Sequence, residues 1–154
     1  MKWVPLDIEM YINAKEFVDT AVVALHPVSF GDEMKQSASM HDFISLLTNQ
    51  LERQFTGRMV LFPAYSYLKK GRMDKPLEEL LEWEKSLKEN EFKHIFYITS
   101  DSDWRMHESS LTGAVLWMPL LPLESMDESQ KVSLIGSQVK QLQNLFTQKW
   151  RENE

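Results

Sequence analysis

Residues 20–28 read Thr-Ala-Val-Val-Ala-Leu-His-Pro-Val, a stretch rich in Val and Ala. A near-continuous apolar strand of this kind suits a sheet covered on both faces, and such sheets are parallel. Three more segments read as strands: residues 58–62, 93–99 and 113–118. Helical stretches alternate with them, which again favours a mainly parallel sheet with helices on each side. The expected fold is a three-layer α/β domain spanning residues 1–154, with a mainly parallel four-stranded sheet that leaves room for one antiparallel edge.

The helices follow from apolar spacing. Ile8, Tyr11 and Ile12 share one side of a short helix over residues 7–15. Ser39 opens a second, in which Met40, Phe43, Ile44, Leu47, Leu51 and Phe55 recur at i, i+3, i+4 and i+7. Asp74 and Pro76 announce a third by capping chemistry, with Leu77, Leu80, Leu81, Trp83 and Leu87 as its apolar side. Ser125 and Glu128 read as a capping box for the last helix, whose stripe runs through Val132, Ile135, Val139, Leu142, Leu145, Phe146 and Trp150. Over residues 126–150 that helix would be about 37 Å long at 1.5 Å per residue. It should break near Gly136, or its end should project toward a partner.

Charge and composition exclude several classes. Lys and Arg number 17 against 23 Asp and Glu, a net charge of −6, which argues against nucleic acid because phosphate binding needs clustered cations. Cysteine is absent, so disulfides, zinc thiolates and cysteine nucleophiles fall away. Asp7 and Glu9 interrupt the apolar core that a signal peptide needs. The longest apolar run, residues 113–123, is shorter than the roughly 20 residues of a membrane span and contains Pro119 and Pro122. These features lead to the expectation of a cytoplasmic protein without a membrane span.

Familiar catalytic patterns are missing. The five glycines, at 31, 57, 71, 113 and 136, lie too far apart for a dinucleotide fingerprint or a phosphate loop. There is no G-x-S-x-G elbow. His107-Glu108 lacks the second histidine of a zinc-protease helix. Ser66-x-x-Lys69 and Ser137-x-x-Lys140 fit a common pattern without its companions. His41 and His94 read as structural, and no metal or cofactor is expected.

Chemistry is concentrated where the strands end. Ligands of open α/β sheets bind beyond the carboxyl ends of the strands. That rule gathers His26 and Ser29 from the first strand, Tyr65 after the second, and Asp101, Asp103 and Trp104 after the third into one candidate ligand-binding rim. Asp101 and Asp103 would suit a hard cation, His26 a general base, and Trp104 and Tyr65 a ring to stack on. The plainer reading makes both aspartates turn and helix caps, His26 a local hydrogen-bonding group, and Trp104 core. Residues 69–75 form the sole basic cluster, read first as a solvated loop.

Met1-Lys2-Trp3, the Glu16-Phe17-Val18-Asp19-Thr20-Ala21 segment, Ser29-Phe30-Gly31 and Asn49-Gln50-Leu51-Glu52-Arg53-Gln54-Phe55 resemble the YpiF-like family of Bacillus relatives, a domain of unknown function. The resemblance covers nearly the whole chain and carries no catalytic residues. Genes of that family lie beside those of a menaquinol–cytochrome c reductase, which implies a link to the expression or assembly of a respiratory complex. The segment from Val22 to Phe30, a helix, and then residues 58–62 is also similar, at the level of fold, to the start of TolB-amino-terminal and CsgG-like domains.

Missing motifs, an acidic second half and a long final helix favour a non-enzymatic protein-binding or assembly factor. Its partner would be a protein, a second copy of the chain among the candidates. The alternative is a small-ligand-binding protein or hydrolase-type enzyme using the rim at the strand ends.

Overall fold

In the computed structural model, which describes residues 1–153, nine elements carry the fold. They are α1 (Pro5–Asn13), β1 (Thr20–Val28), α2 (Met34–Gln54), β2 (Met59–Leu61), β3 (Tyr65–Leu68), α3 (Asp74–Glu89), β4 (His94–Thr99), β5 (Ala114–Trp117) and α4 (Glu128–Glu152). Every strand pairing is parallel, with the order β2-β1-β4-β5 and β3 also beside β1. No antiparallel edge is present among the described residues.

The sheet has five strands rather than four because one edge position is split. β2 pairs with the start of β1, Thr20 opposite Met59, and β3 with its end, Leu25 opposite Tyr65. Partner numbers differ by 39 in the first case and by 40 in the second. One extra residue has been inserted between them, at Pro63. Proline has no N–H for the ladder, so it is tolerated at an edge or a bulge. The chain resumes pairing immediately afterwards.

Strand alternation divides the core in two. Val22 and Ala24 point to the side covered by α2 and α4, where Phe43, Leu47, Leu142, Phe146 and Trp150 are buried. Ala21, Val23 and Leu25 point to the side covered by α3 and, more loosely, α1, where Leu80, Leu87, Tyr97 and Trp104 are buried. Each fully buried Leu or Phe contributes about 1.5–3 kcal/mol through loss of apolar surface from water.

Two expectations about helix ends are corrected. α2 begins at Met34, ahead of Ser39, because the short 3-10 turn Gly31–Glu33 leads straight into it. Ser37, now inside the helix, donates to Pro27 O at 2.6 Å and ties it to the end of β1. The capping box of α4 lies two residues later than read: Asp127 accepts from Gln130 N at 2.8 Å, and Gln130 Oε1 accepts from Asp127 N at 3.2 Å. Ser125 instead donates to Pro122 O in a 3-10 turn.

The last helix neither breaks at Gly136 nor projects at its end. It is continuous from Glu128 to Glu152, and its buried residues are Ile135, Val139, Leu142, Phe146 and Trp150. Trp150 Nε1 donates to Thr20 Oγ1 at 2.9 Å, and the Arg58 guanidinium lies 4.1 Å from the centre of its ring. The excess length sits at the beginning of the helix, where Val132 stays exposed. No helix among the described residues is long and apolar enough to cross a membrane.

Candidate functional site

Because all strands run one way, their carboxyl ends share an edge, and β4 leads there into Asp101. This carboxylate is almost fully buried. Its Oδ2 accepts the Tyr67 hydroxyl at 2.6 Å, and its Oδ1 accepts Lys69 Nζ at 2.9 Å and Asp103 N at 3.0 Å. Trp104 Nε1 donates to the Tyr67 oxygen at 2.8 Å, and Lys69 also lies 3.4 Å from Asp103. The Asp101 N–H is held in turn by Thr99 Oγ1, which donates to Leu25 O. Asp101 caps the 3-10 segment Ser102–Ser110, as the turn-forming reading requires. It also clasps the end of β3 to the tip of β4 across the end of β1.

The electrostatics follow from that closure. Burial first, then the hydrogen bond to Asp101, pushes the Tyr67 hydroxyl far above the usual phenol range. Burial alone would lower Lys69, but its bond to Asp101 and the charges of Asp101 and Asp103 outweigh it and raise it. Each polar group of the cluster spends its capacity on a neighbour, an arrangement suited to rigidity rather than to binding or proton transfer.

The six residues read as a rim do not form one pocket. Asp101, Asp103 and Trp104 come together, with Tyr67 and Lys69, neither of them among the six, as partners. Tyr65 joins at second hand: its ring stacks on Tyr67 at 5.8 Å, and its hydroxyl donates to Glu79 of α3. Burial and Glu79 raise that phenol well above its ordinary range. His26 lies on the opposite side of the sheet. Its ring is 4.5 Å from that of His41 on α2, and its Nδ1 is buried without a hydrogen-bond partner. Burial, with His41 secondary, lowers its pKa to about 4. Ser29 is on the α2 side too, its N–H donating to Ser37 Oγ. Alternation along β1 carried the signal: His26 shares parity with Val22 and Ala24, away from the face that holds Trp104 and Tyr67. Among the described residues no group of three His, Asp or Glu side chains is placed to hold a metal ion.

Concave surfaces also lie beside β3 and between α1 and α3. A groove of about 480 Å³ runs beside β3 and is lined by Tyr65, Ser66, Tyr67 and Leu68, with Lys70, Arg72 and Lys75 opposite. A second, of about 290 Å³, lies between α1 and α3. Its wall is a chain of rings: Trp3 against Phe62 at 5.0 Å, Phe62 against Trp83 at 6.2 Å and Phe92 at 5.4 Å, and Phe92 against Tyr11 at 5.6 Å. No residue of α1 is buried, and Trp3 and Ile12 are exposed in the lining of this groove.

Fold and site define an open, parallel α/β protein whose strand ends are closed by an internal polar clasp. Residues 9–150 match the family model described as "Protein of unknown function (DUF2487)", and the chain belongs to that family. It is 31% identical over 153 residues to the "Uncharacterized protein YpiF" of Bacillus subtilis (strain 168), covering 97% of this chain and 98% of that protein. No solved structure matches the chain.

Proposed function

We propose that this protein is a cytoplasmic, non-enzymatic docking factor that receives a basic amphipathic helix on the aromatic face between α1 and α3. One observation carries the reading: α1 buries none of its residues while Trp3, Ile12 and Trp83 stay exposed in the groove. A nine-residue helix is marginal alone in water, and clustered exposed aromatic groups at a groove are the usual anchors of protein contacts. The charge around the groove selects the partner. α1 carries Asp7 and Glu9, and α3 carries Glu78, Glu82 and Glu89 against Lys85 and Lys88 on its exposed side, so the two helices carry an acidic surplus although Lys15 lines the groove itself. At 290 Å³ the groove falls just below the roughly 300–1,000 Å³ of small-molecule sites and suits side-chain anchors laid in by a helix.

The rival, a small ligand or hydrolytic enzyme at the strand ends, needs free polar groups in one cavity. Asp101, Tyr67, Lys69 and Trp104 are engaged with one another, and His26 faces the other layer. The resemblance to proteins encoded beside a menaquinol–cytochrome c reductase extends the reading to a partner in expression or assembly of a respiratory complex.

The test is fluorescence anisotropy with a labelled Leu/Lys amphipathic peptide against the wild type, Trp83→Glu and, as a control on an exposed apolar residue elsewhere, Met106→Glu. Binding should weaken at least about tenfold in Trp83→Glu and hold in Met106→Glu, and a host protein captured by the wild type should be lost from Trp83→Glu. Equal binding by all three, or a thermal shift of several degrees with a nucleotide or divalent metal, would overturn the proposal in favour of the enzyme reading.

A further inference from the structure

The groove beside β3 differs from the aromatic face in both geometry and charge. Four consecutive residues, Tyr65 to Leu68, line it. Consecutive side chains of a strand point to opposite faces, so a single cavity touches all four only by running along the strand's edge. That edge is free: β3 pairs with β1 and with no other strand among the described residues. The register tells which backbone groups face outward. Lys69 N donates to Val28 O at 3.0 Å, which turns Tyr67 and Lys69 toward β1. In a parallel ladder a residue's N–H and C=O lie on the same side and alternate along the strand, so those of Ser66 and Leu68 face the groove. The side chains of Ser66 and Leu68 are exposed as well.

Charge across the groove leans basic. Lys70, Arg72 and Lys75 line it and are exposed, and no ion pair found among the described residues engages them. The lining also holds two carboxylates, Asp74 and Glu79, the second of which accepts the Tyr65 hydroxyl, so three exposed cations stand against two anions. A second copy of this chain is disfavoured as occupant, because its own Lys69 and Lys70 would follow its β3 into a basic groove.

We propose that the edge of β3 is a strand-addition site that takes an extended acidic segment of another protein. The segment pairs its backbone with Ser66 and Leu68 and sets its carboxylates against Lys70, Arg72 and Lys75. Main-chain hydrogen bonds supply the affinity in this mode, and flanking side chains the selectivity. The short length of β3 and the lysines that follow it also keep like edges from aggregating, so the same charges that repel a sister chain admit an acidic one.

The experiment uses the whole protein and a fluorescein-labelled peptide of alternating Glu and Val, with a Lys/Val peptide, a proline-interrupted Glu/Val peptide and inorganic phosphate as comparison probes. The Glu/Val peptide should bind, and binding should fall about tenfold in Lys70→Glu/Arg72→Glu, whose two exposed charges each turn from attraction to repulsion. Amide exchange at Ser66 and Leu68 should slow when it binds. The Lys/Val and proline-interrupted peptides should not bind. Failure of the Glu/Val peptide to bind overturns the proposal. So does undiminished binding of the proline-interrupted peptide or unchanged exchange at Ser66 and Leu68, since the contact would then be charge alone. Protection of the same amides by phosphate overturns it in favour of a small-anion site. Trp83→Glu should leave this binding intact, which separates its failure from failure of the docking surface on α1 and α3.

Discussion

Lowering the pH from 7 toward 4 forces a proton onto His26, and the fold resists. The ring is almost fully buried beside His41, its Nδ1 has no partner, and its pKa is lowered from 6.5 to about 4, by burial first and His41 second. Above pH 6.5 the ring is neutral in folded and unfolded chains alike, so its contribution is fully present. Between 6.5 and about 4 the unfolded chain binds a proton that the folded chain refuses, so stability falls as pH falls. At 1.36 kcal/mol per pKa unit, the loss amounts to about 2 kcal/mol by pH 5 and about 3 kcal/mol by pH 4. Asp19 belongs to a lower window: bonds from Arg58 and Thr20 outweigh its partial burial and hold it below the ordinary carboxylate value, so its contribution disappears only under stronger acid. His26→Leu, similar in volume and without a polar atom, removes the first effect alone. Urea unfolding followed by tryptophan fluorescence at pH 7, 6, 5 and 4.5 measures both proteins. The variant should lose about 2 kcal/mol less than the wild type between pH 7 and 5. Two curves that decline in parallel would show that His26 is not the source.

Other outcomes follow from the packing. All four tyrosines are raised, chiefly by burial, with nearby carboxylates adding to the effect; absorbance at 295 nm should therefore show little phenolate near pH 10, then a sharp rise with unfolding as this stability is lost above pH 10, and a gradual titration around 10 would contradict it. Asp101→Ala leaves the Tyr67 hydroxyl without its acceptor and Lys69 with Asp103 alone and should cost about 2–3 kcal/mol in urea unfolding, with Tyr67→Phe non-additive in the double variant. Gly113→Ala places a Cβ 2.7 Å from Tyr97 Cε2 and 3.0 Å from Ile95 O and should cost about 1–3 kcal/mol. Gly136→Ala meets nothing within 4 Å inside α4 and should stabilise by up to about 1 kcal/mol, a contrast that thermal melts read directly.

The layers were legible in the chain because their signals are periodic. Val22, Val23, Ala24 and Leu25 fix a strand buried on both faces, and Phe43, Leu47 and Leu51 fix the helix that covers it. β3 was less visible. Pro63 stops the apolar run, and the basic residues from Lys69 onward look like loop, so Tyr-Ser-Tyr-Leu in between passes for part of it. Its alternation, with Tyr65 and Tyr67 on one side, was the available strand signal. The candidate site was half legible. Proximity to a strand end picked out Asp101, Asp103 and Trp104, but which side chains meet across the sheet depends on register. The bulge at Pro63 sets the register of β3, and no pattern in the chain announces a bulge. The length of α4 misled for a related reason: about 37 Å is a sum over residues, and only the packing shows that the surplus lies before Ile135 rather than after Trp150.

The two docking surfaces lie on one helix, which decides how they interact. Glu79 lines the basic groove and Trp83 the aromatic one, four residues apart, so at their nearest the two are separated along α3 by about 6 Å at 1.5 Å per residue. That lies within the Debye length of about 8 Å at physiological salt, although no side chain lines both grooves. Ligands of opposite charge at that spacing attract rather than repel. The basic helix and the acidic strand should therefore bind together, each at least as tightly as it binds alone, and the gain should shrink as salt is raised. Anisotropy of one labelled peptide, measured with and without a saturating amount of the other, tests this, provided the two peptides are first shown not to associate. Mutual exclusion would mean that the grooves are one surface, and the assignment of two partners of opposite charge would fall.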